Sequence, residues 1–126
     1  MALEPINIQN IIPLSSVMNT TLTSQAMQVW MYGVYSIQVA FSGTPTGTFV
    51  LQASSDPVFG GVAPSNWSTI PQSSYGVTAS GNYTWNVMQP GYNWVQLIYT
   101  DASGGTSTAQ ITDSTFNGSY LGNYNG

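Results

Sequence analysis

The residues able to do chemistry in this chain are few. Glu4, Asp56, Asp101 and Asp113 are its only acidic side chains, and Lys, Arg, His and Cys are absent altogether. Catalysis needs a nucleophile with a base, a carboxylate pair, or a metal. Histidine and lysine bases are missing, and a carboxylate pair would require two of the four acids to share one cleft. Asp56 and Asp101 each fall in a loop between predicted strands, where an aspartate ordinarily caps the turn through hydrogen bonds. We expect no catalytic residue and no enzyme.

Metal and polyanion chemistry are disfavoured by the same composition. Without Cys there is no disulfide or thiolate site, and without His the commonest metal ligand is gone. A calcium site built from oxygens would need several acids in one loop. The four are scattered and no D-x-[DN]-x-[DN]-G loop is present. No metal and no cofactor are expected. A chain with a net charge of −4 and no basic side chain has no footprint for nucleic acid and no polybasic attraction to a membrane surface. No apolar run approaches the roughly 18 residues of a spanning helix. The start, MALEPINIQNIIPL, has neither a positive n-region nor a long apolar core, so no secretory signal is expected and synthesis is expected in the cytoplasm.

Binding is the chemistry that remains. Trp30, Trp67, Trp85 and Trp94, with eight tyrosines, offer flat faces that stack on pyranose rings and also favour protein interfaces. Trp85 alternates with core positions and reads as core. Trp67 sits beside a long loop between Asn66 and Ser68, while Trp30 and Trp94 are positioned to face a neighbour. Trp30, Trp67 and Trp94, together with Ile6 and Ile8 near the N-terminus, are the candidate contact residues for a partner chain or a glycan.

The elements that must position these residues are strands. Tyr35, Ile37, Val39 and Phe41 alternate with Ser36, Gln38, Ala40 and Ser42, the period-two mark of a half-buried strand. After Gly43-Thr44-Pro45-Thr46-Gly47 the alternation resumes at Phe49, Leu51 and Ala53, and the two runs read as one β-hairpin spanning residues 35–56. Further strands are predicted over 26–31, 66–70, 75–79, 83–88, 94–100 and 107–116. Gly33 marks a bulge or bend, Gln89-Pro90-Gly91 a turn, and residues 101–106 another hairpin loop. The strand at 94–100, WVQLIYT, is apolar on both faces and belongs in the middle of a sheet. No amphipathic helix of convincing length is present. Turn signals every eight to twelve residues predict an all-β fold, an antiparallel two-sheet β-sandwich of jelly-roll type with about eight strands.

Three segments follow along the chain. Residues 1–14 are an extended N-terminal strand or an arm laid on a neighbour, residues 15–118 a single sandwich domain, and residues 119–126 a flexible tail. Antiparallel sheets expose edges that proteins commonly guard with Lys or inward charges. This chain has no Lys and few charges, so its edges need bulges, prolines, the N-terminal segment or another chain. That predicts a homo-oligomer or residence on a larger assembly.

The succession Tyr35-Ser36-Ile37-Gln38-Val39, Gly43-Thr44-Pro45-Thr46-Gly47-Thr48, Leu51-Gln52-Ala53-Ser54-Ser55-Asp56, Asn66-Trp67-Ser68 and Trp94-Val95-Gln96-Leu97-Ile98-Tyr99-Thr100 resembles a family of small virion structural proteins of tailed bacteriophages. The resemblance covers about residues 26–117. It implies a β-sandwich module that decorates a head or forms part of a tail or fibre. Its partners would be other virion proteins, either the major capsid protein or tail and fibre components, and its location the virion. Where that family often carries Arg, this chain has Gln96, and the stretch Pro57 to Pro64 lengthens the loop before Asn66-Trp67. No contact residue is therefore carried across. The expected function is a non-enzymatic virion structural protein, foremost a capsid decoration or minor head protein. The alternatives are a carbohydrate- or receptor-binding sandwich at a tail or fibre tip, and a subunit of an extracellular β-rich filament.

Overall fold

A computed structural model describes residues 6–88 and 91–120 of the chain. Among the described residues there are ten strands: β1 (Ile6–Gln9), β2 (Leu22–Thr23), β3 (Met27–Gln28), β4 (Tyr32–Ser42), β5 (Gly47–Ser54), β6 (Ser68–Thr69), β7 (Tyr75–Val77), β8 (Gly81–Met88), β9 (Trp94–Asp101) and β10 (Gln110–Tyr120). They form two sheets, every pairing antiparallel. The first has the order β1-β10-β4-β8. In the second, β9 and β5 are the centre, β2 and β3 share the outer side of β9, and β6 and β7 share the outer side of β5. Ten segments thus fill eight strand positions, and long strands that follow one another change sheet. That interleaving is the jelly roll.

The predicted hairpin at residues 35–56 does not exist. β4 pairs with β10 and β8, whereas β5 pairs with β9, β6 and β7, so Gly43–Thr46 is an arch from one sheet to the other. Alternation fixes which face of a strand is apolar; it is silent on whether that face lies beside its sequence neighbour or across from it. Here the faces stack, with Phe41 and Phe49 packed ring to ring at 5.7 Å across the sandwich. The arch suits its residues. Gly43 takes a left-handed φ of 77°, and Gly47 lies so close to the Tyr99 ring and the Thr100 carbonyl that a Cβ would collide with both. The predicted hairpin loop at 101–106 is likewise a crossover, from β9 to β10. The outer polar faces follow suit: Ser36 and Gln38 lie on one outside of the sandwich and Gln52 on the other, while Ser54 is buried where the loop after β5 begins.

The core lies between the sheets. Tyr35, Ile37, Val39 and Phe41 of β4, Trp85 of β8, and Ile111 and Phe116 of β10 pack against Phe49 and Leu51 of β5 and Val95, Leu97 and Tyr99 of β9, all buried. Each such side chain contributes about 1.5–3 kcal/mol relative to exposure. The central position predicted for β9 is observed, and its outward Gln96 is covered by a 2.9 Å hydrogen bond to Gln52. Gly33 is a bulge: Val34 faces Ser119 and Tyr32 faces Tyr120, leaving Gly33 unpaired. The predicted strand at 26–31 is real only at Met27–Gln28. Ser119 and Tyr120, read from sequence as tail, end β10, while residues 121–126, Glu4 and the Gln89-Pro90 half of the predicted turn lie outside the described residues.

Within the N-terminal segment, β1 pairs with β10 of its own chain, Ile6 facing Gly118 and Ile8 facing Phe116. Asn10, at a φ of 59°, then turns the chain so that Ile11 and Ile12 enter the core.

A candidate contact site at one end of the sandwich

Jelly-roll topology gathers alternate connections at each end. At one end lie the β3–β4, β5–β6 and β8–β9 connections, which hold the exposed rings of Trp30 and Phe59. The longest of them, residues 55–67, contains Pro57, Gly60, Gly61 and Pro64 and has no strand ladder to hold it. Asp56 supplies the substitute. One of its carboxylate oxygens accepts the main-chain N–H groups of Ser65 (2.8 Å) and Asn66 (3.0 Å), and the other accepts the Asn66 side-chain amide at 3.1 Å. These donors, the Ser65 N–H foremost, favour the carboxylate and hold the Asp56 pKa below the ordinary value.

The β8–β9 connection ties onto this loop. The Asn93 amide donates to the carbonyls of Ser55 and Asp56, both at 3.1 Å, and the Trp94 indole N–H reaches the carbonyls of Asp56 and Pro57 at 3.1 and 3.3 Å. On its other side, the Asn93 carbonyl accepts the N–H of Val29 at 2.8 Å, which draws in the β3–β4 connection. Three loops are thus fastened together through main-chain groups. They hold out Trp30, 47% exposed, and Phe59, 76% exposed, whose rings meet edge to face at 5.7 Å. Val62, 75% exposed, belongs to the same loop as Phe59. At the same end, β5, β6 and Tyr92 enclose an open groove of about 250 Å³ whose lining mixes Ser54, Ser55, Asn66 and Thr69 with Ile70 and the Tyr92 ring.

Of the residues singled out in the sequence, Trp30 and Trp94 therefore come together at this end with different parts to play. Trp30 presents its ring, whereas Trp94 is half-buried and spends its N–H on fastening the loops. Trp67 is half-exposed on the 55–67 loop beside β6. Ile6 and Ile8 lie elsewhere, on edge strand β1, Ile6 exposed and Ile8 packed partly against the core. Trp85 is buried, its indole N–H donating to the Ser73 carbonyl at 2.7 Å. Phe59 and Val62 escaped the sequence reading. Their signal was there: large apolar side chains in a Gly- and Pro-rich loop have no strand periodicity to carry them inward.

The other described acids are bound as structural acceptors. Asp101 accepts the N–H and hydroxyl of Ser103 and the N–H of Gly105 at the opposite end, which lowers its pKa and caps that turn. Asp113 accepts from Gln38 and Thr115 on the outside of the first sheet. Among the described residues no three of His, Cys, Asp or Glu gather as a metal site would require.

No protein-family model matches the sequence, and no curated protein does. Solved structures match in fold. The chain is similar to the SPBc2 prophage-derived protein YomS, with a TM-score of 0.55 and 11% identity over 94% of this chain and 98% of that one. Weaker likenesses, at TM-scores of 0.47 and 0.46, are the K3 cleaved adhesin domain of Lys-gingipain from Porphyromonas gingivalis and the coat protein of Tobacco streak virus. The adhesin is 13% identical over 76% of this chain and 62% of that one, the coat protein 10% identical over 97% and 91%. At these identities the likeness is one of fold: a two-sheet β-sandwich that matches YomS along nearly its whole length.

Proposed function

We propose that this chain is a non-enzymatic structural protein of a bacteriophage particle, foremost a capsid decoration or minor head protein, which binds its neighbours by surface complementarity. The observation that carries this reading is the end-to-end likeness in fold to a prophage-derived protein, over 94% of this chain and 98% of that one. Composition supports it, since a chain without Lys, His or Cys lacks the common catalytic groups. The end that carries Trp30 and Phe59 supplies the contact, because exposed aromatics held on fastened loops are what protein interfaces concentrate at their centres. Quantitative mass spectrometry of purified particles from cells carrying the gene tests this. A fixed copy number per particle is expected, lowered when Trp30→Ala and Phe59→Ala are combined. Particles that lack the chain would overturn the reading.

A second reading, a carbohydrate-binding sandwich at a tail or fibre tip, is favoured by one observation. The groove at the loop-bearing end is lined by hydroxyl and amide groups together with the Tyr92 ring, which suits a sugar's mixed polar and apolar faces. A glycan array read with tryptophan quenching distinguishes it: saturable quenching that is lost in Trp30→Ala supports glycan binding, and silence across the array removes it.

A further inference from the structure

Each sheet of the sandwich has two edges, and three of the four are broken. β1 is four residues long, β2 and β3 share one edge as two pieces of two residues, and β6 and β7 share another as pieces of two and three. Each break is closed by a buried serine. Ser24, between β2 and β3, exchanges main-chain and hydroxyl bonds with Leu97 at 2.8 Å. Ser73, between β6 and β7, accepts the Leu51 N–H at 3.1 Å. Ser114 of β10 both accepts from and donates to the main chain of Ile12 at 2.9 Å, just after β1 ends. Short, interrupted edge strands are a standard protection against pairing with another chain.

The fourth edge has none of this. β8 runs unbroken for eight residues, Gly81–Met88, and contains no proline and no charged residue. One side pairs with β4 along the full length. Among the described residues, no other main-chain group bonds to the opposite side of its backbone, and no side chain does. Asn82, Thr84, Asn86 and Met88 stand exposed along it, Met88 by 70%. About half the backbone N–H and C=O groups of such a strand point outward and unpaired.

We infer that β8 is the assembly edge of this protein, and that its occupant is β8 of a second copy, paired antiparallel about a two-fold axis. Two arguments favour a second copy. An antiparallel pair of one strand with itself is self-complementary, so this single edge suffices to build a closed interface. Asp56, Asp101 and Asp113 all lie off β8, so two chains of the same negative sign meet along a neutral seam. With the axis perpendicular to the sheet, inward residues must face inward residues. The longest overlap that satisfies this is seven residues; centred on Trp85 it runs from Asn82 to Met88, places Thr84 opposite Asn86 of the second copy, and joins two four-stranded sheets into one of eight. This inference does not depend on the particle role proposed above.

Light scattering on the purified chain from micromolar to millimolar concentration is expected to show a dimer. Thr84→Lys combined with Asn86→Lys places cations of like sign face to face on exposed positions. It is expected to leave the circular dichroism unchanged and to weaken the dimer at least about tenfold. The absence of native Cys allows an independent reading. A mixture of Thr84→Cys and Asn86→Cys chains is expected to form the mixed disulfide dimer in preference to either homodimer. A chain that stays monomeric at millimolar concentration overturns the inference. So does a dimer that survives the lysines while folded, or one whose β8 cysteines fail to cross-link.

Discussion

Ser73 and Leu51 are joined where the second sheet has no strand. The N–H of Leu51, in the middle of β5, donates to the Ser73 hydroxyl at 3.1 Å, and that hydroxyl donates in turn to the Ile70 carbonyl at 2.7 Å. The Leu51 carbonyl is taken by the N–H of Ile70 at 2.8 Å. A central strand thereby keeps both of its outward groups bonded across the gap between β6 and β7. The two other buried serines at edge breaks, Ser24 and Ser114, do the same for Leu97 and Ile12.

Removing such a hydroxyl strands a buried main-chain donor, which costs about 1–3 kcal/mol rather than the smaller value of an exchangeable hydrogen bond. Ser24→Ala, Ser73→Ala and Ser114→Ala are each expected to lower the unfolding free energy by that amount in urea titrations. Ser119→Ala, at an exposed position on β10, is the control and is expected to fall within about 0.5 kcal/mol of the parent.

Gly47 opens β5 directly beneath Tyr99. A Cβ there would sit 2.4 Å from the Tyr99 hydroxyl oxygen and 2.4 Å from the Thr100 carbonyl oxygen, the second of which is main chain and cannot swing aside. Gly47→Ala is expected to destabilise by at least about 1–3 kcal/mol through overpacking. Gly81→Ala, at a site with no atom within 4 Å of the added methyl, is expected to have little effect. Thermal unfolding of the two variants side by side decides the matter.

Strand faces were legible in the sequence and strand partners were not. Tyr35, Ile37, Val39 and Phe41 alternate plainly, and their burial follows from that pattern alone. Their pairing with β10, more than sixty residues away, has no local signal, because Gly43–Thr46 serves an arch as well as a turn. Two-residue strands such as β3 and β6 are held by the neighbours they patch and carry no periodicity of their own. The contact end was half legible. Trp30 stood out by type, while the part played by Trp94 depends on where Asp56 and Pro57 fall in space.

Without basic side chains the fold contains no side-chain ion pair for salt to screen. Apolar burial and sheet hydrogen bonds carry the stability. The urea midpoint is expected to change little between low salt and 0.5 M sodium chloride, roughly five times the ionic strength at which the screening length is about 10 Å. A pronounced fall with salt, measured on the Thr84→Lys, Asn86→Lys chain to separate folding from assembly, would contradict this account.

The pH profile follows from four groups: Asp56 and Asp101 on the acid side, and Tyr35 and Tyr99, both raised foremost by burial, on the alkaline side. Asp56 and Asp101 have folded pKa values below their unfolded value of about 3.9, because main-chain N–H and hydroxyl donors favour the carboxylates. Their contribution is complete above the unfolded pKa and is lost as pH falls through the folded one. Tyr35 behaves oppositely: burial pushes its phenol well above the ordinary value of 10.0, and no protein group bonds its hydroxyl. Its contribution is complete below about pH 10 and is lost as pH rises toward the folded pKa. With no His or Cys in the chain, stability is expected to be flat between about pH 5 and 9 and to drop on both sides. Asp56→Asn is expected to reduce the acid-side drop and to loosen residues 57–64 at neutral pH, read as faster amide exchange in that loop. Tyr35→Phe is expected to reduce the alkaline drop. It should also raise neutral-pH stability by about 1 kcal/mol, since it removes a buried hydroxyl that lacks a protein partner.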